Sequence, residues 1–275
     1  MSFFEKSECY TDLMAERESG RGFEGVYFVR HKRVYGSLEC VTVTSKEGAL
    51  AVGRPEGRYH TMNTSKIYDL DSYGADDLAE ELADELVSVC RMSNIVTERI
   101  LVVGLGNEGL TPDALGPMAA RRVNPTRHIK RRDTDMFYAL GCSEISVLAP
   151  GVEGDSGVDS ALVCASVAAA ISPSVVIAVD ALCARSQTRL GTTVQISDTG
   201  IFSGSGVGAR KYEISKATVG APVISVGIPT VIDSGIVSET SGERLLVTPR
   251  EVNALVTVGA DIIASGINRA FGIVK

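Results

Sequence analysis

No tryptophan occurs in the 275 residues, no two of the six cysteines form a C-x-x-C pair, and no excess of positive charge is present. Each absence removes a class of function. The net charge of −7 argues against general binding to a phosphate backbone and suits basic or neutral partners. Cys9, Cys40, Cys90, Cys142, Cys164 and Cys183 are scattered. That pattern fits free, mostly buried thiols in a reducing compartment rather than a zinc site or a disulfide framework. The amino terminus lacks a basic stretch followed by an apolar one, so no secretory signal is evident. The most apolar stretch, 165–184, is broken by Pro173, Asp180 and several serines, and reads as helix, turn and strand rather than a membrane span. There is no internal repeat. Together these absences point to a cytoplasmic protein with one large core, a single domain over residues 1–275.

What is present is organised around ILVVGLGNEGLTPDALGP (100–117). The β-branched run Ile100 to Val103 reads as a buried parallel strand. A glycine turn, Gly104 to Gly109, follows, and the chain restarts as a helix with Thr111 as N-cap and Pro112 as first helical residue. Asp113 then falls in the first helical turn, where free N–H groups and the helix dipole favour a carboxylate. Such an acid can also be no more than a stabilising charge. The turn fits G-x-G-x-x-G, but the helix starts too late and the downstream NPTRHIKRRDTD (124–135) offers no strand with an acid, so a dinucleotide site is disfavoured.

Around this motif, residues 1–22 read as a mobile polar arm. Residues 25–44 alternate as a β-hairpin or two edge strands, and 48–63, with Gly53, Pro55 and Gly57, reads as loop. An acidic amphipathic helix over 75–92 carries the apolar stripe Leu78, Leu82, Leu86 and Val89. Residues 124–135 read as a basic loop containing His128. Strands are predicted at 145–148, 175–179, 193–197 and 222–231, a helix at 158–171, and a flexible glycine loop at 204–208. Thr248-Pro249-Arg250-Glu251 reads as a capping box for a C-terminal helix with Val252, Leu255, Val256, Ile262 and Ile263 inward. Strands alternating with helices predict an α/β fold: a mixed, mostly parallel sheet with helices on both faces.

Two acids stand out. Asp180 closes the apolar run Val175 to Val179, where strand ends feed a crevice, so it can face Asp113 there. Asp113 rests on N–H groups that favour its charge, whereas Asp180 leaves a dry strand and should hold its proton more easily. Acids with separated pKa values can activate water with one and protonate with the other. Asp180 alone could equally be a turn residue. Other motifs are weaker. Gly154-Asp155-Ser156-Gly157 copies the nucleophile motif of all-β serine proteases but precedes a helix here. Ser156 to Ser160 is similar to the pyrophosphate loop of ATP pyrophosphatases, one glycine short. Cys183 could be a nucleophile beside His31, His60 or His128, but inert burial is the simpler reading.

Five segments taken together are more specific: GLGNEGLTPDALGP (104–117), LAPGVEGDSG (148–157), VVIAVDALCARS (175–186), TTVQISDTGIFSGSGVGARK (192–211) and PVISVGIPTVID (222–233). In order and spacing this set resembles the germination proteases of spore-forming bacteria. The resemblance implies an endopeptidase of atypical aspartic type that degrades small acid-soluble spore proteins in the spore core during germination, with a fold similar to hydrogenase maturation proteases. It implies Asp113 and Asp180 as the catalytic acids, no required metal or other cofactor, no direct contact with nucleic acid or membrane, and a homotetramer. It also implies a zymogen that removes its own amino-terminal arm, and Tyr10 to Glu16 suggests cleavage between Asp12 and Leu13. Gly106 and Asn107 of the glycine turn, or Arg185, are candidates to stabilise the oxyanion. Two other classes stay open: a metal-dependent hydrolase like the hydrogenase maturation proteases, and a non-catalytic binder of spore proteins. The chain departs from the family at Glu108-Gly109-Leu110, which replaces a Trp-containing loop, and is short between Val123 and Leu148 and at its end.

Overall fold

A computed structural model describes residues 10–17, 22–34, 36–203, 212–237 and 244–273. Cys9 and the glycine loop at 204–208 lie outside them. In chain order the elements are β1 (Val26–Lys32), β2 (Ser37–Val43), α1 (Lys46–Val52), β3 (Gly57–Asn63), α2 (Ser72–Met92), β4 (Arg99–Gly104), α3 (Leu115–Ala120), α4 (Arg127–Arg132) and α5 (Thr134–Leu140). There follow β5 (Glu144–Leu148), α6 (Glu153–Ser156), α7 (Ser160–Ile171), β6 (Val175–Ala184), β7 (Thr193–Ser197), β8 (Ile201–Ser203), β9 (Tyr212–Ile214), α8 (Lys216–Val219), β10 (Val223–Val237), β11 (Arg244–Val247) and α9 (Val252–Phe271).

The α/β architecture with a mixed sheet and helices on both faces is as expected. Strand order is β1-β2-β3-β7-β10-β6-β4-β5, with β11 paired to β10 and a separate β8-β9 ribbon. The parallel pairings form one block, β10-β6-β4-β5, and the strands beyond β10 pair antiparallel. Strand β6 shows why its sequence is a continuous apolar run. Val175, Ile177 and Val179 join the core under α2, α3 and α9, while Val176 and Ala178 join the core under α7 and α8. A strand covered on both faces has no polar side to show. The stripe of α2 packs as read, with Leu82, Leu86 and Val89 fully buried. Helix α9 is long and apolar enough to cross a membrane, but Leu255, Val256, Ile262 and Ile263 pack into the same core as α2.

Several expectations change. Residues 10–17 are packed rather than mobile: Thr11, Leu13 and Met14 are all buried. The predicted loop at 48–63 contains α1 and β3, because Ser45 caps α1 through Gly48 N–H and β3 is needed to bridge β2 and β7. The basic loop at 124–135 is mostly helical; Asp133 caps α5 through Met136 N–H. Strand β6 runs past Asp180 to Ala184, held by β10 through the pair Ile232–Ala184. No capping box forms at Thr248: the residue before α9 is Glu251, without a side-chain cap.

Candidate active site

The site is built where β4 stops. Gly104 pairs with Val179 as the last β4–β6 contact, and Leu105 N–H then donates to Val179 O at 2.8 Å. The chain turns at Gly106, whose φ of +117° suits glycine, and a Cβ there would lie 2.0 Å from Asp113 O. A 3-10 turn, Thr111–Asp113, leads into α3. The residue before this turn is Leu110, not Thr111, and no side chain caps it. Thr230, fully buried on β10, pins the turn by donating to Pro112 O at 2.7 Å. Gly116 lets α3 close onto the sheet, since a Cβ would sit 2.2 Å from Leu105 O and 2.4 Å from Val179 O.

This turn carries Asp113 beside Asp180. Asp180 is the first residue of β6 beyond the end of β4 and is 8% exposed. Burial pushes its pKa well above the ordinary value, and the neighbouring carboxylates of Asp113 and Asp12 push it further. Ala181 N–H, donating at 2.9 Å, opposes this only in part. Burial also raises Asp113, but Asn107 N–H donates to its Oδ2 at 2.7 Å and favours the charged form. The support for Asp113 is therefore a folded-back turn N–H rather than the dipole of a long helix. Burial raises both acids; the charges of Asp113 and Asp12 add to the shift at Asp180, while the Asn107 N–H relieves it at Asp113.

The segment 10–17 crosses the same region. Asp12 N–H donates to Cys183 O at 2.8 Å, and Cys183 N–H donates to Asp12 Oδ2 at 2.9 Å. Further on, Arg185 and Ser186 N–H groups both donate to the Glu16 carboxylate at 2.7 Å. Asp12, at the expected cleavage point, thus lies against β6 three residues beyond Asp180 and contributes to the field at that acid.

The supporting residues are placed as follows. Asn107 N–H is engaged by Asp113. Gly106 forms the turn itself, and Arg185 is exposed with its N–H on Glu16. Burial pushes the Cys183 thiol up to about 12, so it stays neutral. His31 and His128 are exposed and remote in the fold, whereas His60 pairs with Glu85 and Cys40. Burial opposes protonation of His60, but the bonds to Cys40 and Glu85 outweigh it and raise its pKa to about 9. Cys40, His60 and Glu85 could in spacing hold a metal ion. Arg33 already supplies a cation there, 3.1 Å from Glu85. Ser156 lies in the short α6, exposed. A surface cleft between α2, α5 and α9, lined by Phe137, Tyr138 and Arg269, includes neither acid of the pair. Sequence reading did not single out Arg54, Gln195 or Thr230: Gln195 and Thr230 fall inside the segments 192–211 and 222–233 but without a role there, Arg54 falls in none, and all three reach this region through tertiary contacts.

With this geometry in view, a family model for germination protease matches residues 4–243. The chain belongs to the germination protease family. The germination protease of Bacillus subtilis (strain 168) is 39% identical over 237 residues, covering 86% of this chain and 64% of that protein. The one from Oceanobacillus iheyensis is 37% identical over 243 residues, covering 88% and 66%. The one from Clostridium acetobutylicum is 32% identical over 277 residues, covering 85% and 84%. The chain thus spans about two thirds of the length of the first two family members. Among solved structures, the NiFe hydrogenase maturation protease HycI from Thermococcus kodakarensis KOD1 aligns with a TM-score of 0.39 and 19% identity, covering 67% of this chain and 99% of that one.

Proposed function

We propose that the chain is an endopeptidase that degrades small acid-soluble spore proteins during germination, using Asp113 and Asp180. The observation that carries this reading is the placement of the two acids at the end of β4, brought from distant parts of the chain to where each acts on the other's charge and only Asp113 accepts the Asn107 N–H. Asp113, its charge favoured by Asn107 N–H, takes the proton of the attacking water. Asp180 donates its proton to the carbonyl oxygen as charge develops there. So close a pair titrates as a unit, and the apparent pKa values belong to both. Activity should therefore fall on acidification, as Asp113 gains a proton, and on alkalinisation, as Asp180 loses its own. The remaining parts of the reading follow family membership: residues 1–12 as a propeptide removed by self-cleavage before Leu13, a homotetramer as the working form, the spore core as location, and one peptidase domain.

The direct test is incubation with a purified small acid-soluble spore protein, with fragment masses as readout. Asp113→Asn and Asp180→Asn are each expected to lower cleavage by at least about 10²- to 10⁴-fold, the usual worth of a positioned acid or base, with the far-ultraviolet spectrum unchanged. Activity retained in either variant removes that residue from its role.

A further inference from the structure

The amino-terminal segment is held by side chains that have no other evident use. Gln195, on β7 and 8% exposed, donates through Nε2 to Asp12 O at 3.1 Å and accepts Met14 N–H through Oε1 at 2.7 Å. One side-chain amide therefore grips the main chain on both sides of the Asp12–Leu13 bond. Arg54, in the loop between α1 and β3, donates to Thr11 O at 2.8 Å and lies 3.5 Å from Asp12 Oδ1. The two charged side chains are only 14% and 18% exposed, so solvent screens this pair less than it screens a surface ion pair. Among the described residues Arg54 Nε is buried without a hydrogen-bond partner. Beyond the bond, Leu13 is fully buried and Met14 packs among Val41, Val43, Val52 and Tyr59. Withdrawing the segment would leave a buried amide and a partly buried guanidinium unpaired, at a cost that only another peptide with the same pattern would offset.

We infer that Arg54 and Gln195 are the recognition residues of a peptide groove that runs from β6 over β7 to β3. The groove takes a segment with an acidic residue followed by two apolar ones, extended at Leu13 and entering a 3-10 turn at Met14. Arg54 and Cys183 N–H read the acid, Gln195 fixes the main-chain register, and the wall formed by Val41, Val43, Val52 and Tyr59 takes the second apolar side chain. Such a segment comes first from this chain and, once residues 1–12 have left and the new end at Leu13 has withdrawn, from a substrate protein. The fate of the bound segment rests on the protease reading; its recognition does not.

The test uses the full chain and the variants Asp12→Asn, Arg54→Met, Gln195→Ala and the double variant Asp12→Asn/Arg54→Met. Hydrogen exchange at the Leu13 and Met14 amides reports docking, and the mass of the chain reports cleavage between Asp12 and Leu13. Asp12→Asn and Arg54→Met are each expected to speed exchange about 10- to 100-fold, as for loss of a charge-assisted bond, and the double variant no more than the faster single. Gln195→Ala is expected to speed exchange at Met14 by a factor that multiplies with that of Asp12→Asn. Arg54→Lys keeps the charge and is expected to restore most of the protection, which separates recognition from a folding defect. Independent effects of Asp12→Asn and Arg54→Met, or unchanged exchange in Gln195→Ala, overturn the inference whether or not the chain is cleaved. The expected exchange pattern without any product starting at Leu13 upholds recognition and overturns self-cleavage, and if the small acid-soluble spore protein also stays intact it overturns the protease reading.

Discussion

Asp180 sits where a carboxylate is costly, buried on β6 with Asp113 and Asp12 as electrostatic neighbours. Because its folded-state pKa lies above the ordinary value of 3.8, the folded chain binds more protons than the unfolded chain between those two values. The stability tied to that proton is present at low pH and lost as pH rises through the folded pKa. Asparagine imitates the protonated acid and can still accept Ala181 N–H. Asp180→Asn is therefore expected to melt at the same temperature as the parent in acid and at a higher temperature in alkali, and thermal melts across the pH range check it. A gap that widens on acidification would contradict the raised pKa. The sequence pointed to Asp113 and Asp180 because the first follows a strand and glycine turn and the second follows the apolar run Val175 to Val179. It gave no sign of Arg54 or Gln195, whose roles depend on which main chain arrives beside them.

The turn between β4 and α3 is the element that sets the distance between the two acids, and close backbone packing at Gly116 holds it down. A methyl group at Gly116 would strike two carbonyl oxygens, Leu105 O and Val179 O, which belong to the turn and to β6. Neither can retreat without breaking the Leu105–Val179 hydrogen bond. Gly116→Ala is expected to cost about 1–3 kcal/mol, the usual penalty for overpacking, measured by urea unfolding. Its cleavage rate should fall further than the loss of folded chain accounts for, because the displaced turn before α3 carries Asp113 away from Asp180. Element types were mostly legible from periodicity, but lengths were not. Residues 48–63 have the composition of a loop, yet β2 and β7 need a strand between them, and pairing supplied one. Asp180 looked like a strand end because the apolar run stops there; β10 carries β6 four residues further.

At the scale of the molecule, the sheet separates two apolar layers, and the layer under α2 and α9 is the larger. Leu82 is fully buried in it, so Leu82→Ala is expected to cost about 2–5 kcal/mol. Arg269 joins the same two helices by bridging Asp76 and Glu80, whose side chains are 61% and 60% exposed. Arg269→Ala is expected to cost less than about 1 kcal/mol, because solvent screens such pairs. Chemical unfolding of both variants checks the ranking; an equal loss would mean that the surface bridge organises the helix pair. The amino-acid sequence by itself determined the α/β class and the two-sided burial of β6, and it singled out the two candidate acids, because these follow from periodicity and from motifs a dozen residues long. Only the tertiary structure decided that residues 10–17 cross the site and that Gln195 and Arg54 hold them. Those contacts join positions up to 183 residues apart, and each is a hydrogen bond between groups that any polar residue could offer. Which of them meet is fixed by how the strands are ordered in the sheet, and no local pattern records that.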